Sequence, residues 1–441
     1  MVVATILPSL VLLVAGAPAS APAAEKAVWG PVALPDRSSA FDIYSRLGID
    51  TLQFVVRWDA VAPQRPDAPI DPADAAYRWP ADIAEAELEA ARHGIRLSLL
   101  VEGTPPWANG GRSAIWRPTR AQDLADFLTA AARRFPAVRR WMIWGEPNRF
   151  DRFQPNVRDS AVGPRAYAVL LDSAYGALKG VNRLNKIIGA NTWTGGTVKP
   201  ADFLRWMRLP NRRPPRLDWL GHNPFPFRFP KLAQQPLAGG YRDISDIDTI
   251  SRDALRVYGR RIPLWLSEYT IQSDRGSHAF ATYVPSGAQA QYLTAGYKLA
   301  DDLGPGVAGL GWLGLLDEAP APGSANWGLM TSALRPKPAF GAMLRAPSER
   351  LRPVVISAPT VTRAHLRGTA GLRVTVTPKS TGTVIVELRR GAAVRARTRL
   401  PGRPGRRATA RLRSLTATPG RYVVHVRAAR AATVRRAVRV R

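Results

Sequence analysis

Two acidic residues stand where the chain leaves an apolar run. In "RRWMIWGEPNRF" (139–150), Trp141, Met142, Ile143 and Trp144 are apolar, and Glu146 follows between Gly145 and Pro147. In "PLWLSEYT" (263–270), an apolar start is followed by Glu268. A carboxylate at the tip of a buried strand is costly unless the tip opens into a cavity or finds a partner. Two such carboxylates across one cavity can divide the work of acid and nucleophile, provided that their surroundings split their pKa values. That is the chemistry of glycosidic bond cleavage. One carboxyl protonates the leaving oxygen; the other attacks the anomeric carbon or activates water. Separations of ~5–5.5 Å give retention and ~6.5–9.5 Å inversion. Glu102, in "LLVEGTPPW" (99–107), is a third acid at such a tip. It would either raise a neighbour's pKa by like-charge repulsion or pair with an arginine at the rim.

Other chemistries lack their residues. There is no cysteine, and the five histidines are scattered without metal-ligand spacing, so neither a metal nor a cofactor is expected.

These acids must be positioned by the elements that carry them. Eight short, nearly continuous apolar runs read as parallel strands covered on both faces: 27–30, 51–58, 95–103, 139–146, 186–193, 217–223, 263–270 and 307–314. Helical patterns separate them. Leu124, Phe127, Leu128 and Ala131 share one face, as do Tyr167, Leu170, Leu171, Ala174 and Leu178. Thr119 with Gln122, and Ser286 with Gln289, have capping-box spacing, and Gly94 and Gly259 stand where helices should stop. The fold class is therefore α/β: eight strand–helix units over 27–346 predict a (β/α)8 TIM barrel. An open doubly wound sheet would want a glycine-rich phosphate loop after its first strand, and "WGPVALPD" (29–36) is not one. In a barrel, strands four and seven face each other across the C-terminal mouth, which places Glu146 opposite Glu268.

Beyond Pro347 the period changes to two, with Gly and Pro turns. Residues 351–441 predict a small antiparallel β-sandwich, with arginine outward and Val, Leu and Ile inward. This segment carries 22 of the 63 basic residues and one of the 33 acids, and so most of the net charge of +30. Such a surface either attracts an anionic cell-envelope polymer or is a plain solvated arginine face; nucleic acid is not the expected partner. At the other end, "ILPSLVLLVAG" (6–16) and the small residues after it read as a signal peptide over 1–24, although no Lys or Arg precedes the run. The expectation is a secreted or cell-surface, extracellular protein with no transmembrane span after cleavage.

The order of these pieces resembles that of the clan A glycoside hydrolases, most closely family 39-like and family 5-like members, over residues 28 to 345. "WGEPN" resembles the strand-four motif, which implies Glu146 as acid/base, and "LWLSEYT" the strand-seven motif, which implies Glu268 as nucleophile. "VVRWDAVAP" (55–63) resembles the segment whose arginine, here Arg57, supports the nucleophile. "TPPWA" (104–108) resembles the strand-three loop, and "HNPF" (222–225) the strand-six region with a substrate-side histidine, here His222. Trp312 matches a sugar platform on strand eight, and "NWGLM…RPKPAF" (326–340) resembles the closing loop and last helix. The implied activity is a retaining glycoside hydrolase acting on an oligo- or polysaccharide without a cofactor. The family places Asn before the acid/base, where it bonds the sugar 2-hydroxyl; here that position is Gly145, with Asn148 as the substitute. Trp107, near a strand end, could stack on a sugar ring, and Tyr269 could hydrogen-bond Glu268 or simply pack. The alternative is a barrel that binds carbohydrate or the envelope without catalysis, for which Gly145 speaks.

Overall fold

The computed structural model describes residues 24–233, 235–274, 282–347, 354–356, 360–376, 382–402, 407–428 and 434–441; the leader expected over 1–24 lies almost wholly outside them. Eight parallel strands close into a barrel: β1 (Glu25–Trp29), β2 (Thr51–Arg57), β3 (Arg96–Glu102), β4 (Arg140–Ile143), β5 (Lys186–Trp193), β6 (Trp219–Asn223), β7 (Leu264–Tyr269) and β8 (Val307–Trp312). They lie in chain order, and β1 pairs with β8 as well as with β2. One main helix follows each strand: α1 (Phe41–Leu47), α2 (Ala81–His93), α3 (Ala121–Arg134), α4 (Val162–Val181), α5 (Pro200–Trp206), α6 (Ile247–Tyr258), α7 (Ser286–Asp302) and α8 (Pro338–Arg345).

The helices form where an apolar stripe can be buried. On α3, Leu124, Phe127, Leu128 and Ala131 face the barrel. Helices α2 and α6 stop at Gly94 (φ 63°) and Gly259 (φ 67°), left-handed positions that glycine fills without a Cβ penalty. The two capping boxes do not form. Thr119 lies outside α3, and its hydroxyl bonds the Ala108 carbonyl instead. Ser286 is already inside α7, and Gln289 is spent on the Ile271 and Asn326 carbonyls. Tertiary partners have taken the groups that local capping would have used.

The barrel bore is packed by Ala27, Trp29, Leu100, Met142, Ile188 and Trp265. Burying large side chains of this kind contributes roughly 1.5–3 kcal/mol each before entropy is charged. At the N-terminal end of the bore Glu25 binds Arg140, Arg96 and Thr51, so a buried acid is fully partnered. Lys26 points the other way, into the helix layer. Its buried Nζ donates to the Leu47 carbonyl of α1 (3.0 Å) and the Met343 carbonyl of α8 (2.7 Å).

The C-terminal strands are β9 (Val354–Ile356), β10 (Thr360–Val361), β11 (Leu372–Val376), β12 (Gly382–Arg390), β13 (Ala393–Gly402), β14 (Ala408–Leu412), β15 (Gly420–Ala428) and β16 (Val434–Val440). They form a three-stranded sheet, β9-β11-β14, and a five-stranded sheet, β10-β16-β15-β12-β13. All pairings are antiparallel except that of β10 with β16. Leu372 and Val374 of one sheet share a core with Val386, Leu388, Val424 and Val438 of the other, so the two face each other as a sandwich. Among the described residues no helix is long and apolar enough to cross a membrane.

Candidate active site

Strand β4 ends at Ile143, three residues before Glu146. The apolar run therefore overstates the strand, and a sharp turn delivers the carboxylate. Trp144 (φ 63°) and Glu146 (φ 50°) both adopt left-handed backbone. Non-glycine residues there cost on the order of 1–3 kcal/mol each. The turn is held from outside: Trp144 Nε1 donates to the Arg152 carbonyl (2.9 Å), Glu146 N to the Asn191 carbonyl (3.1 Å), and Asn191 Nδ2 to the Trp144 carbonyl (3.0 Å). Glu146 is buried, and both its oxygens are engaged. Arg149 Nη1 donates to Oε2 at 2.7 Å, and Asn223 Nδ2 donates to Oε1 at 3.2 Å.

Glu268 lies on β7 itself, above a polar layer in the bore. Trp29 Nε1 (2.8 Å) and Gln53 Nε2 (2.9 Å) donate to the Ser267 carbonyl, and Ser267 Oγ donates to Asn223 Oδ1 at 2.6 Å. Asn223 thus joins the base of Glu268 to Glu146. The Glu268 carboxyl has no hydrogen bond or ion pair with any described residue. Burial, then the charges of Glu146 and Glu102, push it up to about 8, against the pull of Arg152 and Arg149. Mutual influence of that kind places the three acids in one electrostatic cluster. The cluster therefore favours a proton on Glu268, while Glu146 is ion-paired with Arg149.

Glu102 is also raised above the usual carboxylate range, chiefly by burial, with Arg57 and Arg152 opposing. Its Oε1 lies 3.6 Å from Arg57 Nη1, and its Oε2 accepts the Gly145 N–H at 3.3 Å. A Cβ at position 145 would stand 2.8 Å from that Oε2. Glu102 therefore fills the space that an Asn in place of Gly145 would need. Beside it opens a cavity of about 200 Å³ lined by Arg57, Glu102, Ile115, Trp144, Asp151 and Arg152.

The other residues singled out from sequence lie elsewhere. Arg57 grips Asp59 through two 2.9 Å bonds and reaches Glu102; no contact joins it to Glu268. Its strand ends beside β3, so the nearest acid takes it. His222 is buried, with Nδ1 2.8 Å from Thr192 Oγ1 and Nε2 2.9 Å from the Arg242 carbonyl. Burial lowers its pKa to about 4, and neither ring nitrogen is free for a substrate. Tyr269 is buried and donates to the Tyr292 carbonyl at 2.5 Å, edge-on to Trp312, so it packs rather than bonding Glu268. Trp312 is fully buried and donates to the Trp327 carbonyl at 2.9 Å; it presents no platform in this structure. Asn148 is buried too. Its Nδ2 is 3.1 Å from the carbonyls of Trp193, Gly195 and Val198, and its Oδ1 accepts the Trp193 N–H, so it fastens the loop after β5 and does not substitute for the missing Asn. Trp107 donates to the Ala62 carbonyl, lies under Arg65, and lines a separate cavity of about 190 Å³ with Tyr77, Arg120 and Asp123.

Three residues of the site escaped the sequence reading: Arg149, Arg152 and Asn223. Arg149 follows Glu146 by three positions, the spacing of a one-turn pair. Asn223 is the neighbour of His222 in "HNPF" and is the one that faces the acids. Arg152 carries no signal of its own. Among the described residues no cluster of His, Asp and Glu is arranged to hold a metal ion.

No family model matches the sequence. No curated protein matches it either. Solved structures do match in fold. A family 39 glycoside hydrolase from the gut symbiont Bacteroides cellulosilyticus WH2 aligns over 89% of this chain and 81% of its own, with a TM-score of 0.55 and 16% identity. The family 39 enzyme from Xanthomonas axonopodis pv. citri aligns over 92% and 94%, at 0.52 and 15%. A family 39 β-xylosidase from Caulobacter crescentus aligns over 84% of both chains, at 0.51 and 14%. By its barrel, its closing helix and its C-terminal sheets, the chain has the fold of these family 39 glycoside hydrolases.

Proposed function

We propose that the protein is a secreted, retaining glycoside hydrolase in which Glu146 is the acid/base and Glu268 the nucleophile. The observation that carries this reading is the placing of two buried carboxylates, after β4 and on β7, that Asn223 joins through Ser267 and that share one charge cluster, one ion-paired with Arg149 and the other without a partner among the described residues. The N-terminal apolar run supports export. In the free protein the proton stands on the partner opposite to the one that must donate it. A sugar entering between the acids has to draw Arg149 off Glu146, and Asp151, 2.6 Å from Arg149 Nη2, is ready to keep it. The proton then passes to Glu146, and Glu268 is freed to attack the anomeric carbon. Glu146 protonates the leaving oxygen, a glycosyl ester forms on Glu268, and water activated by Glu146 hydrolyses it.

Aryl glycosides test the assignment. Glu268→Gln should abolish turnover of all of them. Glu146→Gln should keep kcat/KM for good leaving groups, which need no protonation, lower it for poor ones by ~10²–10⁴-fold, and lower kcat for all of them, because the base that activates water is gone. Undiminished turnover in Glu268→Gln would overturn the reading. A second reading, a carbohydrate-binding barrel without catalysis, draws on Glu102 standing where a sugar-binding Asn would reach. It predicts no turnover by the wild type and full glycan affinity in Glu268→Gln.

A further inference from the structure

The five-stranded sheet turns a row of valines and leucines inward and a field of arginines outward. On β12 and β15, Val384, Val386, Leu388, Val424 and Val426 are buried, and the residues between them point away from the sandwich core. The outward face holds one acid, Glu387, and it is already saturated. Arg389 Nε (2.8 Å), Arg397 Nε (2.8 Å) and Arg427 Nη2 (2.7 Å) all donate to it, and together they bury it completely. Burial opposes its charge, but these arginines outweigh burial and keep its pKa below the usual range.

Four further arginines of the same face have no such outlet. Arg399, Arg421, Arg435 and Arg439 are exposed, and their guanidinium groups form no hydrogen bond or ion pair with any described residue. Arg421 and Arg439 are direct cross-strand partners, and Arg435 stands opposite His425. Like charges placed directly opposite destabilise a sheet. The field is felt locally: burial and then the charges of Arg389 and Arg435 lower the pKa of His425.

We propose that this face binds a polyanionic glycan bearing carboxylate or sulfate groups. Neighbouring strands are ~4.8 Å apart and alternate residues ~6.8 Å apart, so the arginines are rooted at intervals on the scale of a sugar repeat. Each guanidinium can take an oxyanion in two-point fashion. Apart from the His425 imidazole, the uncharged outward residues of β12, β15 and β16 are Thr383, Ile385, Val423 and Ala437, with no Phe, Tyr or Trp among them. Single-stranded nucleic acid would want such rings for stacking, and a flat sheet face does not enter the grooves of a duplex. The choice of a glycan over other polyanions rests on the hydrolase reading of the barrel; the charge lattice does not.

The test uses the full chain carrying Glu268→Gln, so that bound glycan survives. Binding to polygalacturonate, heparin, neutral xylan and single- and double-stranded DNA is measured by calorimetry between 50 and 200 mM salt. Expected is binding to polygalacturonate or heparin that weakens at least tenfold over that salt range. The added triple substitution Arg421→Ser, Arg435→Ser, Arg439→Ser should weaken it at least tenfold more, with an unchanged or raised melting temperature. No binding to either glycan, equal or tighter binding to DNA, or indifference to the triple substitution would overturn the proposal. Glycan binding with the expected losses, in a protein whose wild type cleaves no aryl glycoside, would keep the arginine face and remove the hydrolase reading.

Discussion

Arg149 donates to Glu146 at 2.7 Å, so a guanidinium occupies the carboxylate that has to serve as the acid. The same arginine binds Asp151 and lies 5.2 Å from the centre of the Trp193 ring. It therefore links Glu146 to the Asp151 side of the site and to the loop after β5. Its charge also draws Glu268 toward ionisation. In Arg149→Met that pull on Glu268 is lost, and the alkaline limb of the kcat/KM profile should move up. Arg149→Lys, which keeps the charge, should leave the limb close to wild type. An alkaline limb that stays put in Arg149→Met would remove Arg149 from control of the proton.

Glu268 also ties stability to pH. Its folded-state pKa is about 8, raised from 4.5. Its contribution is complete below the unfolded value and is lost as pH rises through the folded one, because the unfolded chain ionises it freely in that window. Urea denaturation should show stability falling between pH 5 and 8 in the wild type. Glu268→Gln should flatten that slope and be more stable than wild type by about 2–3 kcal/mol at pH 8. Parallel slopes in the two proteins would contradict the buried, unpartnered carboxyl.

Gly145 and Glu102 compete for one space. Gly145→Asn should destabilise by about 1–3 kcal/mol, since Glu102 is pinned by Arg57 and by the backbone it would have to leave. Adding Glu102→Ala should recover most of that loss. A double-mutant cycle checks it, and a coupling below about 0.5 kcal/mol would show that the two positions do not contend. The double variant also places an amide side chain before Glu146 in the space that Glu102 vacates, so its turnover relative to wild type reports whether Glu102 limits the site.

Asn148 is structural in this chain. Asn148→Ala strands three carbonyls and an N–H of the loop after β5, and should cost about 2–4 kcal/mol in urea denaturation. The KM of any glycoside the protein cleaves should change less than kcat, because the loop follows directly on Trp193, whose ring lies beneath Arg149. A stable Asn148→Ala protein with only its KM raised would restore Asn148 to the substrate.

The barrel could be read from sequence because its information is local. Eight apolar runs and their intervening stripes are written in consecutive residues, and all eight strands appear within a few positions of those runs. The two key acids were legible for the same reason, each lying at the end of a run. What surrounds them was not. Only the folded register gives Arg57 the two acids Asp59 and Glu102 rather than Glu268. His222 and Trp312 sit on strands that face the site, yet both side chains are consumed by backbone carbonyls that sequence cannot locate. The left-handed turn at Trp144 and Glu146 is imposed by Asn191, nearly fifty residues away, and no local rule reports it.

The Lys26 ammonium, clasped by carbonyls at Leu47 and Met343, joins the first strand to the last helix across a separation of 317 residues. A chain still emerging from the ribosome has neither β8 to seal the sheet nor the Met343 carbonyl to hold that charge. A lysine buried without its acceptors is strongly disfavoured, so the early strands have reason to stay apart until synthesis passes the closing helix. Assembly of this barrel should then be an all-or-none, late event, and chains truncated before residue 343 should be targets for proteolysis rather than partial enzymes.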